Sequence, residues 1–234
     1  MKKKRYRRML PILFIAMAVL VSFLYVSDYY RASDEVTEYL ENTADVHISE
    51  IREGLLIDGP GEDSALIFYP GGKVEYTAYV PLMSRIAGQG TDCFFIRMPA
   101  NLAFLSIGKA GRIIKNGNYK HWYIGGHSLG GVAASMYAAD HDLDGLILLA
   151  SYPVRSVDEK TLEIYGSEDG VLNMKKRSQA DRFLPEEDEV EVIEGGSHAQ
   201  FGNYGLQKGD GTADITADEQ QDITARKILE MTGQ

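Results

Sequence analysis

The feature that most constrains this 234-residue chain is an alternation: short apolar runs of strand length, each followed by a turn and then a segment of helical character. Strands are expected at 53–58, 65–69, 92–97, 122–124, 143–150, 161–165 and 190–194. Helices are expected at 74–87, 102–115, 129–139 and 171–182. Thr216-Ala217-Asp218-Glu219 reads as a capping box opening a last helix that runs to about Met231. Runs such as Leu146-Ile147-Leu148-Leu149 leave no face polar, which suits strands covered on both sides. The expected architecture is therefore α/β, a mostly parallel sheet with helices on both faces. In such sheets ligands sit beyond the carboxyl ends of the strands, so chemistry is sought in the turns that follow them.

Three of those turns hold reactive residues. Gly126-His127-Ser128-Leu129-Gly130 lies between a strand and a helix, the G-x-S-x-G pattern. A serine at the apex of a sharp strand-to-helix turn has a strained backbone, and glycines two residues away on either side relieve the crowding. Ser128 Oγ would then face a substrate, with the Leu129 N–H at a helix N-terminus aimed at a developing oxyanion. A serine hydroxyl needs a base. Of five histidines only His141 and His198 follow Ser128. His141 lies in a polar turn at the wrong edge of the sheet, whereas His198 directly follows the last strand. His127, beside the nucleophile, is expected to pack rather than react. The acid that orients the base is expected to be Asp169, after the penultimate strand, with the adjacent Glu168 as the alternative. The second oxyanion donor is expected in Tyr69-Pro70-Gly71-Gly72-Lys73, at the Gly72 N–H or else the Lys73 N–H. A phosphate loop is excluded, because the G-x-x-x-x-G-K-[ST] spacing is absent.

Three blocks carry a resemblance: Phe68-Tyr69-Pro70-Gly71-Gly72-Lys73-Val74-Glu75, Gly125-Gly126-His127-Ser128-Leu129-Gly130-Gly131, and the run from Gly195 through Ser197-His198-Ala199-Gln200-Phe201 to Gly205. From about Leu55 to the C-terminus the chain resembles the α/β-hydrolase superfamily, in particular a compact, membrane-anchored bacterial group sharing these blocks. The resemblance implies a Ser128–Asp169–His198 triad, esterase-like activity, and no metal or cofactor. Pro70 stands where the wider superfamily carries a histidine in the oxyanion loop. Only residues 151–160 are available at the usual site of a lid, so no large lid domain is expected, and the site suits small or surface-presented acyl esters. The same parts would serve a thioesterase or acyltransferase, and a non-catalytic binding domain on the same fold is the rival from another class.

The N-terminus has a different character. Residues 9–26 carry no charge over 18 positions and are preceded by six cations at residues 2–8. As a helix this stretch would be about 27 Å long, close to a bilayer's hydrocarbon thickness. The expected organisation is a basic cytoplasmic tail (1–8), a transmembrane anchor (9–26), a stalk (27–52) and a catalytic domain (53–234) outside the cytoplasm. The exit, Tyr25-Val26-Ser27-Asp28-Tyr29-Tyr30, is too bulky for a signal-peptide cleavage site. Ser33 is expected to cap a short helix reaching about Glu41. Setting the six cations aside leaves 18 basic against 34 acidic side chains, which argues against nucleic acid as a partner. Cys93 is the only cysteine and sits in an apolar strand, so no intrachain disulfide is possible.

Overall fold

The structure is a computed structural model that describes residues 13–17, 20–21, 27–41 and 45–234. It contains one eight-stranded sheet of order β1-β2-β4-β3-β5-β6-β7-β8. The strands are β1 (His47–Ile51), β2 (Gly54–Asp58), β3 (Ser64–Tyr69), β4 (Thr91–Ile96), β5 (His121–His127), β6 (Gly145–Leu149), β7 (Thr161–Gly166) and β8 (Glu189–Ile193). β1–β2 and β2–β4 pair antiparallel; every pair from β4 across to β8 is parallel. From residue 28 onward the α-helices among the described residues are α1 (Val36–Tyr39), α2 (Val80–Ala87), α3 (Ala110–Asn116), α4 (Leu129–Ala138), α5 (Met174–Ala180) and α6 (Ala217–Thr232).

The sheet divides the core in two. Along β3, Leu66 and Phe68 join the cluster beneath α2 and α6, while Ala65, Ile67 and Tyr69 join the one beneath α3 and α4, as the two-residue period of a strand requires. β3, β4 and β6 are buried at every position, the pattern of parallel strands covered on both faces. Thr216 and Glu219 form the expected reciprocal capping box on α6.

Departures from expectation have local causes. β1 falls inside the segment expected to be a stalk; its exposed, polar His47-Ile48-Ser49-Glu50-Ile51 carries no apolar run because it is the sheet's outer edge. The expected helix at 74–87 begins only at Val80, after a 3₁₀ turn at Tyr76–Tyr79, because Pro81 fits only in a first helical turn. The expected helix at 102–115 is reduced to α3, preceded by 3₁₀ turns at Ala103–Leu105 and Ile107–Lys109. The carbonyls of that segment turn outward instead: Asn101 O accepts the Lys73 N–H at 2.9 Å, and Ile107 O accepts the Tyr69 hydroxyl. Ser33 does not cap α1; its hydroxyl donates to the Asn203 carbonyl at 2.8 Å.

The expected membrane span at 9–26 falls largely on residues outside the described set. Among the described residues no helix is long and apolar enough to cross a membrane. Residues 13–17 and 20–21 are helical, and Leu13, Phe14, Ile15, Met17, Leu20 and Val21 are each more than half exposed, so the domain does not cover them.

Candidate active site

β5 ends in the strand-to-helix turn expected for it. Ser128 has φ 53° and ψ −121°, a left-handed conformation that costs a non-glycine residue about 1–3 kcal/mol and persists only where its surroundings hold it. Its N–H donates to the Leu149 carbonyl at 2.8 Å, and its carbonyl accepts the Ser151 hydroxyl at 2.8 Å. The next residue opens α4. Gly130 is required by close approach: a Cβ there would lie 2.1 Å from the Tyr69 carbonyl oxygen. The turn is thereby wedged between β3 and β6, with the serine half-buried at the carboxyl edge of the sheet.

Asp169 and His198 meet across the turns after β7 and β8. The His198 Nδ1–H donates to Asp169 Oδ2 at 2.9 Å, and both side chains are almost fully buried. Asp169 Oδ1 separately accepts the N–H groups of Val171 at 2.8 Å and Leu172 at 2.7 Å. One oxygen holds the loop and the other holds the imidazole. A carboxylate only accepts, so Nδ1 carries a proton, and in the neutral ring Nε2 keeps its lone pair. Nε2 is buried and has no hydrogen-bond partner, so the Ser128 hydroxyl is not bonded to it. Nucleophile–base hydrogen bonds are often unmade before substrate binds. Glu168, the alternative acid, is exposed and accepts only the Ser167 hydroxyl. His141 is stacked on Tyr137 with centroids 3.8 Å apart, at the C-terminal end of α4 and away from Ser128.

Gly72 packs against the Leu129 side chain. A Cβ built on Gly72 would fall 2.8 Å from Leu129 Cδ2. The Lys73 N–H is committed to the Asn101 carbonyl at 2.9 Å, which removes it as the alternative.

Several residues of the site were not singled out by sequence reasoning. Asp210 accepts four backbone N–H groups: Gly170 (3.2 Å), His198 (3.1 Å) and Gly211 (2.9 Å) at Oδ1, and Ala199 (2.8 Å) at Oδ2. It fastens the acid's loop to the base's loop. Gln220, from α6, accepts the Ser197 N–H at 2.9 Å and donates to the Ser197 carbonyl at 2.8 Å. Tyr79 accepts the Gly71 N–H at 3.1 Å, and its hydroxyl lies 2.8 Å from His127 Nδ1. His127 is buried as expected, but it packs on His198. Burial first, then the neighbouring His198, holds His127 well below the usual imidazole range, so it is neutral. Asp210 sits between two glycines in a turn, a faint signal; Tyr79 had none.

The model of the alpha/beta hydrolase family matches residues 65–222, which run from β3 into the start of α6 and include Ser128, Asp169, His198, Asp210 and Gln220. The chain belongs to the alpha/beta hydrolase family. Solved structures similar to this hydrolase include Est1E from Butyrivibrio proteoclasticus (12% identity, TM-score 0.58, covering 82% of this chain and 100% of that one). Mouse alpha/beta hydrolase domain-containing protein 10 is similar at 12% identity and TM-score 0.57, covering 81% and 99%. A CIB-like hydrolase from Thermoplasma acidophilum is similar at 15% identity and TM-score 0.55, covering 79% and 99%. At these identities the likeness is one of fold. No curated protein matches the sequence. In this alpha/beta hydrolase residues 151–160 form an irregular loop with no helix.

A strap, residues 28–33, runs beside the turn that follows β3. The Tyr30 N–H donates to the Lys73 carbonyl at 2.7 Å, the Glu75 N–H donates to the Tyr30 carbonyl at 2.9 Å, and Lys73 Nζ pairs with Asp28 at 2.8 Å. The Ser33 N–H and hydroxyl both donate to the Asn203 carbonyl, at 2.8 Å each, in the loop that carries His198.

Proposed function

We propose that the protein is a serine hydrolase that cleaves carboxylic esters, or related acyl compounds, through Ser128, His198 and Asp169. The observation that carries this reading is a strained Ser128 at the β5–α4 turn together with, after the strands of the same sheet, an imidazole whose Nδ1 is tied to a buried carboxylate and whose Nε2 is unengaged. In the first step Ser128 Oγ bonds to the acyl carbon while His198 Nε2 takes its proton. The oxyanion is held by the Gly72 and Leu129 N–H groups, and Asp169 stabilises the imidazolium. The C–O bond to the alcohol then breaks, and His198 returns the proton to the leaving oxygen. Water, deprotonated by His198, attacks the acyl-enzyme and releases the acid. The residues need no metal or cofactor for these steps. The apolar stretch at 9–26 holds the domain outside the cytoplasm as a membrane anchor.

The test is active-site labelling. A fluorophosphonate should modify Ser128 and abolish hydrolysis of short-chain 4-nitrophenyl esters, while Ser128→Ala should neither label nor turn over. Absence of labelling in folded wild-type protein would leave a tethered binding domain as the better description.

A further inference from the structure

We propose that the mouth of this site faces the bilayer that holds the anchor, and that its substrates are acyl esters of lipids in that same bilayer. This rests on the hydrolase and anchor readings above and names the substrate class for them.

The first ground is the length of chain available. The apolar stretch ends at Val26, and Tyr30 is already hydrogen-bonded on both sides to the oxyanion loop. Four residues span at most about 14 Å when fully extended. Asp28, within those four, is itself held by Lys73. A tether this short keeps the turn after β3 close to the membrane surface.

The second ground is where apolar side chains are left uncovered. Among the described residues from 27 onward eight large ones are exposed, and five of them, Phe104, Leu105, Val154, Met174 and Leu206, lie on segments that follow β4, β6, β7 and β8 at the carboxyl edge. Leu206 is 93% exposed. Single exposed apolar residues need no explanation, but five on segments that leave the edge carrying Ser128 and His198 do. The edge is also where the strap arrives, so the tether and the apolar rim share one side of the molecule. A lipid whose acyl ester sits at the interface would reach Ser128 without a lid or a tunnel.

The experiment uses the full chain reconstituted into phosphatidylcholine vesicles. A fluorogenic diacyl ester lipid is placed either in the protein's own vesicles or in separate protein-free ones, with 4-nitrophenyl butyrate as the soluble control. Hydrolysis within the same bilayer should exceed hydrolysis across vesicles by at least about tenfold, the gain in effective concentration that a short tether provides. Inserting about 20 flexible Gly/Ser residues between Val26 and Ser27 should lower the same-bilayer rate about fivefold and leave butyrate turnover unchanged. A second readout is independent of catalysis: a fluorophore on Leu206→Cys should be quenched by spin-labelled lipid, the buried Cys93 not competing for the label. Equal lipid rates in the two arrangements with butyrate turnover intact, or an unquenched fluorophore, would overturn the orientation. Quenching without any ester turnover or Ser128 labelling would uphold the orientation and sink the hydrolase reading instead.

Discussion

The imidazole rings of His127 and His198 lie 4.5 Å apart, centroid to centroid, inclined at 52°. Through Tyr79, this contact joins the base to the loop that carries the Gly72 donor. Gly71 donates to the Tyr79 hydroxyl, which shares a second hydrogen bond with His127 Nδ1. His127→Phe should therefore lower kcat about 10- to 100-fold with little change in KM, because it loosens the base and oxyanion loop together. It should also cost about 1–3 kcal/mol of stability by taking a hydrogen-bond partner from the buried Tyr79 hydroxyl. Tyr79→Phe/His127→Phe should cost less than the two single changes added, in a double-mutant cycle of urea unfolding and turnover.

Asp169→Asn should preserve the loop, since the amide oxygen can still accept from Val171 and Leu172. Its N–H₂ would then face His198 Nδ1 and force the proton onto Nε2, the atom that must accept it from Ser128. Turnover should fall about 10³–10⁴-fold with the unfolding midpoint nearly unchanged. Fluorophosphonate labelling rates, read alongside thermal melts, check both halves of this expectation.

Gly130→Ala places a methyl group 2.1 Å from the Tyr69 oxygen and 2.4 Å from the Pro70 oxygen, both backbone atoms that cannot rotate away. The turn holding Ser128 must shift. A loss of about 3 kcal/mol is expected, or roughly 6–12 °C in Tm for a domain of this size. Differential scanning fluorimetry would show it, with activity absent even below the melt.

Asp92 supplies a pH dependence far from the site, at the amino end of β4. Burial pushes its carboxyl up to about 6, against hydrogen bonds from the Gly59 N–H and the Tyr119 hydroxyl, with Asp58 nearby adding to the rise. A folded-state pKa above the unfolded one contributes stability that is full at low pH and is lost as pH rises through about 6. Between pH 5 and 7 this group should remove on the order of 1 kcal/mol. Asp92→Asn should flatten that part of the profile in urea titrations at the two pH values.

The sequence shows most of the parallel sheet because its inner strands are apolar throughout and its turns are glycine-marked. Ser128, Asp169 and His198 were legible because each occupies the turn after a strand, a place that topology assigns to chemistry. What escaped notice was held by tertiary contacts. β1 carries an edge strand's polarity, and the 99–109 segment gives up helix to satisfy Lys73 and Tyr69. Tyr79 and Asp210 act on residues distant in sequence, through hydrogen bonds that no local spacing announces.

The Asp210 carboxylate grips main-chain N–H groups only. Such a clasp is indifferent to which side chains those loops display. Exposed side chains on the segments after β7 and β8, such as Met174 and Leu206, can be exchanged for other residues while acid and base stay in register. Substrate preference can therefore drift, by natural variation or by design, without disturbing the proton-transfer apparatus.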